Sequence, residues 1–290
     1  MAFLSYLISG LGLGSVYAII ALGYSMVYGI AKMLNFAHGD IIMVGAFVTY
    51  YAMSSYGMPV LVAVLVSTIV CTVLGVVIER LAYKPLREAS SLSVLITAIG
   101  VSYFLQNAAM LVFGTDTKIF PNVLSGSLKI GGLSIPYLTL ITIFTCIAIM
   151  VVLTMFINKT KTGRAMRACS EDKGASALMG INVNRIISIT FAIGSGLAAI
   201  AAVLLCATYP SVYPTLGSLP GIKAFTAAVL GGIGSIPGAF LGGLVLGVIE
   251  IMARAYISTQ LSDAIVFMVL IVVLLIRPTG LLGKKVKVKV

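Results

Sequence analysis

Charge is what this sequence has least of. Only 9% of its 290 residues are Asp, Glu, Lys or Arg, while 60% are hydrophobic. Soluble domains carry roughly 25% charged residues, so a shortage this deep excludes a soluble fold around one buried core. The apolar residues stand instead in long runs, several of them reaching the roughly 20 residues a helix needs to cross a bilayer. Histidine is nearly absent: His38 stands alone, and the eight acids are scattered. That argues against a membrane enzyme, which needs a His/Asp/Glu or Cys/His cluster near one interface. The cysteines Cys71, Cys146, Cys169 and Cys206 form no Cys-x-x-Cys pair. Three sit in apolar runs, where the thiol packs as a small hydrophobe, so neither a disulfide framework nor a metal site is expected. Gly231-Gly232-Ile233-Gly234-Ser235 lacks the Gly-Lys-Ser/Thr ending of a phosphate loop. Gly10, Gly12 and Gly14 lack the dinucleotide spacing and no βαβ unit surrounds them, so the chain has no ATP site of its own. Met1-Ala2-Phe3-Leu4-Ser5 carries no positive charge, and the first apolar run reads as a retained helix rather than a signal peptide.

What is present is a succession of apolar segments. The first runs from Phe3 to Ile30 and is followed by a polar break, Lys32 to Asp40. The next, Ile41 to Ser54, is about 14 residues long and fits a half-helix or re-entrant segment, with Asp40 as its N-cap. Longer runs cover Pro59–Ile78, Leu92–Phe113, Ile135–Ile157 and Ile186–Thr208. Another half-length run spans Ile222–Ile233, with Lys223 at its start, and two further runs span Pro237–Ile257 and Ser262–Ile276. The fold class is therefore an all-α membrane protein: a polytopic helical bundle of about eight to nine spans with short or broken helices, in a single domain over residues 1–290. A weak internal echo links Gly57-Met58-Pro59 and the helix ending at Glu79 with Gly234-Ser235-Ile236-Pro237 and the helix reaching Glu250. Paired short segments in two halves are a pointer to a transport pathway.

The net charge of +11 is unevenly placed. Lysines and arginines gather at Arg80–Arg87, in the 158–185 segment and in the tail 277–290, while 114–134 and 209–221 are nearly neutral. Basic segments stay in the cytoplasm, which puts both the 158–185 loop and the C-terminus there. The charge reads as topology and attraction to anionic lipid in the bilayer, not as nucleic-acid binding.

Three constellations stand out. Gly234, Gly238 and Gly242 recur every fourth residue, and Gly243 and Gly247 repeat the spacing. Such glycines let helices approach closely in lipid. The string Asn35-Phe36-Ala37-His38-Gly39-Asp40 interrupts helical structure, and irregular backbone is tolerated at membrane depth only when buried or facing water. Asn35, Phe36, His38 and Asp40 are therefore candidates to line a pathway, His38 having the plainer role of capping the break. No acid sits clearly mid-span, although Glu250 and Arg254 are spaced to pair. That counts against an ion-coupled carrier. Finally, Thr162 to Asn182 reads as a short amphipathic helix, capped by Thr162 and ended by Gly180, with a small face (Ala165, Ala168, Cys169, Ala175) and charges at Arg164, Arg167, Glu171 and Asp172. A helix of this kind suits docking into a partner's groove.

The Asn35–Asp40 string, the Gly163–Asn182 loop and Arg277-Pro278-Thr279-Gly280-Leu281-Leu282-Gly283 together resemble the Liv-type permeases, in the H-type branch. These are membrane subunits of ATP-binding-cassette importers for branched-chain amino acids. The resemblance covers nearly the whole chain. It implies a translocation pathway for leucine, isoleucine and valine, a partner M-type permease, two cytoplasmic ATP-binding subunits, a periplasmic binding protein that delivers substrate, and the bacterial inner membrane. It implies no cofactor on this chain, ATP being used by the partners. It also implies a coupling loop, matched here by Gly163, Arg164, Ala165, Arg167, Ala168, Glu171, Asp172, Ala175 and Gly180. The loop has Met166-Arg167-Ala168 where the broader importer consensus has Glu-Ala-Ala. Permeases of the same broad family for urea, amides or other amino acids share these motifs, and an ion-coupled secondary transporter is the alternative outside it.

Overall fold

The computed structural model describes residues 2–130 and 133–283. Lys284, Lys285, Lys287 and Lys289 of the basic tail lie outside them.

Helix α1 (Ala2–Ala31) is buried on all sides from Gly12 to Val27, so its continuous apolar run makes it a central post rather than an amphipathic surface helix. It ends at Lys32, whose φ of +57° breaks the helix. Next come α2 (His38–Ser54) and α3 (Val60–Ile78), the latter continued by a π-helical turn, Glu79–Tyr83, and a short 3-10 turn. Pro59 precedes α3 as its N-cap, and α2 is capped at Ala37, leaving Asp40 in its first turn rather than at its cap. Helices α4 (Ser91–Phe113) and α5 (Tyr137–Lys159) follow, then the short pair α6 (Lys161–Glu171) and α7 (Lys173–Leu178). The last group is α8 (Val183–Thr208), α9 (Ser218–Gly231), α10 (Ile236–Tyr256) and α11 (Ser262–Ile276). Among the described residues six helices are long and apolar enough to cross a membrane, with α2, α9 and α11 shorter. The eight to nine expected spans thus resolve into six long helices and three short ones. This is a multi-pass membrane protein.

Strand β1 (Lys118–Ile119) pairs antiparallel with β4 (Ser211–Val212), and β2 (Ser127–Ile130) with β3 (Leu133–Pro136). The first pair ties the two neutral stretches together at one end of the bundle. The basic segments gather at the other end. Lys173 Nζ donates to the Ala31 carbonyl (2.6 Å), Arg87 bonds Asn184, and the tail returns to the foot of α9. The tail contact is specific: Gly280, at φ +76°, turns the chain so that the amides of Leu281 and Leu282 donate to the carbonyls of Leu230 and Gly231, both at 2.9 Å. Those carbonyls lie in the last turn of α9, where helices leave acceptors without intrahelical partners.

The internal echo corresponds to a spatial repeat. α1 packs on α10 and α9 as α8 packs on α3 and α2; α2 packs on α3 and α4 as α9 packs on α10 and α11. α1 ends at the basic end and α8 begins there, so the halves α1–α4 and α8–α11 are inverted. Close contacts between backbones hold the halves together. A Cβ on Gly14 would lie 2.8 Å from Leu244 Cα, and one on Gly243 or Gly247 would strike the α1 backbone at Ala18 or Gly14. Gly238 and Gly242 instead face α9, and Gly234, in the turn before α10, faces Gly29. The five glycines therefore serve three different contacts. In lipid, where water does not drive helices together, such close packing holds the bundle.

Candidate functional site

Two regions answer to the sequence candidates. The first is inside the bundle, where the N-termini of the short helices α2 and α9 meet. Gly39 lies against Gly217 and Gly221 so closely that a Cβ at Gly221 would be 3.1 Å from Gly39 Cα. Asp40, only 2% exposed, offers its charge to the positive end of α2. Its Oδ1 accepts from Gln106 Nε2 at 2.8 Å, and the same amide lies 3.2 Å from Ser102 Oγ and 3.3 Å from Ser218 Oγ. Three elements, α2, α4 and α9, thus converge on one polar knot, and α1 adds Tyr24 to the cavity of about 230 Å³ beside it. Phe36, Ile99, Tyr103 and Ile222 supply its apolar wall, and Tyr24, Asp40, Ser102 and Gln106 its polar atoms.

The structure separates the four residues proposed for this break. Phe36 and Asp40 line the cavity; Asn35 and His38 do not. Asn35 Oδ1 accepts from Tyr83 OH at 2.9 Å, fastening the loop to the foot of α3. His38 is the first residue of α2 rather than a cap, its ring edge-on to Tyr24 at 4.6 Å and pressed against Gly23. Gln106, Ser102 and Ser218 were missed, because single polar residues in apolar helices give no local signal until the fold brings them together.

A second polar group was read from the sequence only as an Arg254–Glu250 pair. Lys223 lies within α9, not at its start, and donates to Glu250 Oε1 (2.8 Å) and Asp263 Oδ1 (2.6 Å), while Arg254 reaches Glu250 from the next turn. Glu250 is fully buried in the last third of α10 (Ile236–Tyr256), past the middle of that helix. The acid is tolerated there because two cations neutralise it. Glu79, its counterpart in the other half, is also fully buried and pairs with Arg87, with Ser188 Oγ donating to it at 2.6 Å.

The second region is the helix pair α6–α7 at the basic end. Thr160, not Thr162, caps α6, its Oγ1 accepting from Gly163 N at 3.0 Å. Asp172 ends α6 in extended backbone and caps α7, accepting from Ala175 N at 2.9 Å. Gly180, at φ +80°, closes α7: its amide bonds the Ala177 carbonyl and that of Ile181 the Ser176 carbonyl, both at 3.0 Å, a Schellman ending. Each such cap contributes about 1 kcal/mol, so a segment this polar holds helical shape. The small-residue face is not the outward one. Gly163, Met166 and Cys169 recur every third residue and are buried, with Ala165 and Ala168 half-buried beside them. Gly163 is required because a Cβ there would enter the α5 backbone at Ile157. Arg164, Arg167, Glu171, Asp172, Ala175 and Gly180 face out. Beyond them project Leu178 and Met179, 91% and 83% exposed, which sequence reading passed over. Lys173, which bonds Ala31, has its ammonium held below the ordinary lysine value, first by burial and then by the charges of Arg87 and Lys32.

Apolar helices with two half-helices meeting head to head around a polar cavity, and a helix pair standing off one end, define a polytopic membrane permease. The family model described as branched-chain amino acid transport system / permease component matches residues 6–274, and the chain belongs to that family. It is 48% identical to the high-affinity branched-chain amino acid transport system permease protein BraD of Pseudomonas aeruginosa, across 97% of this chain and 96% of that protein. It is 44% identical to the corresponding permease protein LivH of Escherichia coli K12, with the same coverage. Among solved structures, PsaBC from Streptococcus pneumoniae in complex with Fab is similar at a TM-score of 0.51, covering 94% of this chain and 92% of that one at 14% identity, a likeness of fold.

Proposed function

We propose that this chain is one permease subunit of an ATP-driven importer of leucine, isoleucine and valine. It works beside a related M-type permease, above two cytoplasmic ATP-binding subunits and beneath a periplasmic binding protein. The basic end, with α6–α7 and the tail, then faces the cytoplasm of the bacterial inner membrane. The observation that carries this reading is the α6–α7 pair. It presents Leu178 and Met179 to solvent among charged neighbours and is rigidly joined to the bundle through Gly163 and Lys173. Exposed anchors on a capped helix are what a groove in a partner subunit binds.

The cavity at Asp40 is the station on the pathway. An amino acid passing through carries an ammonium, a carboxylate and an aliphatic side chain. Asp40 faces the first, the N-termini of α2 and α9 the second, and Phe36, Ile99 and Ile222 the third. ATP binding draws the two ATPases together, α6–α7 moves with them, and the inverted halves rock about their glycine contacts. The test is purification with a tag, identification of stoichiometric partners, and uptake in liposomes. The reading expects two ATPases and a second permease at comparable amounts and ATP-dependent leucine uptake. It expects Arg164→Glu/Arg167→Glu to separate ATP hydrolysis from uptake in an assembled complex. Uptake by the isolated chain without ATP would overturn it.

A further inference from the structure

A second cavity, of about 630 Å³, opens at the basic end between the foot of α3 and the start of α8. Three cations line it: Arg80, Lys84 and Arg185. Among the described residues none of them has an acid within ion-pair distance, and no acid lines the cavity. The nearby acid, Glu79, is taken by Arg87 and Ser188. Asn182 and Asn184 add amides to the lining, and Val76 and Ile189 add apolar wall.

The level of this cavity is set by the sequence. The apolar run of α3 ends at Ile78, so Arg80 and Lys84 lie where the helix leaves hydrocarbon; α8 begins at Val183, so Arg185 lies at the same boundary. The outward face of α3 just above carries Ile69, Val73 and Val77, all exposed on the outside of the bundle. A ligand with a phosphate at the boundary and acyl chains running up that face satisfies both halves of the surface. Clustered cations at a cytoplasmic membrane boundary attract anionic headgroups in this way.

We infer that the Arg80–Lys84–Arg185 cavity is a binding site for an anionic phospholipid, its phosphate held by the three cations and its acyl chains lying along the apolar face of α3. The site rests on the proposed cytoplasmic facing of the basic end and not on what the protein transports. The shared chemistry is a phosphate, and the apolar wall assigns it to a lipid rather than to free inorganic phosphate.

The test uses the full chain purified in its native assembly. Native mass spectrometry after a delipidating wash reads bound lipid directly. Phosphatidylglycerol is added back against phosphatidylcholine, with and without excess inorganic phosphate. The site predicts retention of phosphatidylglycerol but not phosphatidylcholine, little affected by inorganic phosphate. Neutralising one cation should weaken binding about fivefold, and Arg80→Gln/Lys84→Gln/Arg185→Gln on the order of a hundredfold. The conservative Arg80→Lys/Arg185→Lys should keep most of it. Equal retention of both lipids by the wild-type protein would overturn the inference without recourse to any variant. So would displacement of the lipid by inorganic phosphate, or unchanged retention in a triple variant that assembles.

Discussion

Lys223 is the residue whose removal says most about how α9, α10 and α11 are held together. Its ammonium donates to Glu250 at 2.8 Å and Asp263 at 2.6 Å. Lys223→Met leaves Glu250, which has no solvent exposure, facing Arg254 alone, while Asp263, with its side chain 41% exposed, turns to water. Removing one partner of a buried pair costs about 3–5 kcal/mol; the retained Arg254 puts the expected loss at about 3. Glu250→Gln leaves Lys223 paired with Asp263 and costs about 1–2 kcal/mol. Independent sites would give the double variant the sum, about 4–5 kcal/mol. The double variant, however, strands no buried charge, because Arg254 and Asp263 are both partly exposed. It should therefore lose no more than Lys223→Met alone, a coupling of about 1–2 kcal/mol. Equilibrium unfolding of the purified proteins in mixed micelles with sodium dodecyl sulfate reads all three. Additive losses, or a Lys223→Met protein as stable as the wild type, would refute the reasoning.

The other expectations are more local. Leu178→Asp/Met179→Asp should leave thermal stability unchanged, both side chains being exposed, yet reduce recovery of the ATPase subunits in pull-downs at least tenfold. Lys173→Met should preserve assembly and lower the uptake obtained per ATP hydrolysed; unchanged coupling would show that the Lys173–Ala31 contact transmits nothing. The folded protein holds the Lys173 ammonium below the ordinary lysine value, so the unfolded chain binds the extra proton just below that value. Wild-type stability should thus rise with pH across that window, and Lys173→Met should lose the rise. Gly247→Leu, driven into the α1 backbone at Gly14, should cost about 3 kcal/mol or prevent folding. Gly100→Ala in α4, with nothing within 4 Å, should leave stability unchanged or gain up to about 1 kcal/mol.

The long helices were legible because a single continuous apolar run is enough to specify each one. The echo of Gly57–Glu79 in Gly234–Glu250 was legible as well, since it falls on corresponding elements of the inverted halves. Residues whose meaning depends on distant partners were not. Lys223 and Asp263 are 40 residues apart, and nothing local to Asp263 or Glu250 says that the two acids share Lys223. Gln106 meets Asp40 across 66 residues. The α6 helix was found but turned the wrong way, because its small residues suit close packing on α5 as well as they suit a partner's groove. Leu178 and Met179 passed for ordinary apolar positions until their exposure was visible.

The returning tail has a consequence for how the protein is made. The last carbonyls of α9, at Leu230 and Gly231, receive their partners from Leu281 and Leu282, about fifty positions later in the chain. Until that segment has left the ribosome, the Leu230 and Gly231 carbonyls lack these amide partners, beside the turn that seats α10 on α1. A product cut short before Gly280 would reach the membrane with its long helices intact and this one foot open. The final stretch thus acts as a completion mark, by which an unfinished copy differs physically from a finished one and is exposed to membrane proteases.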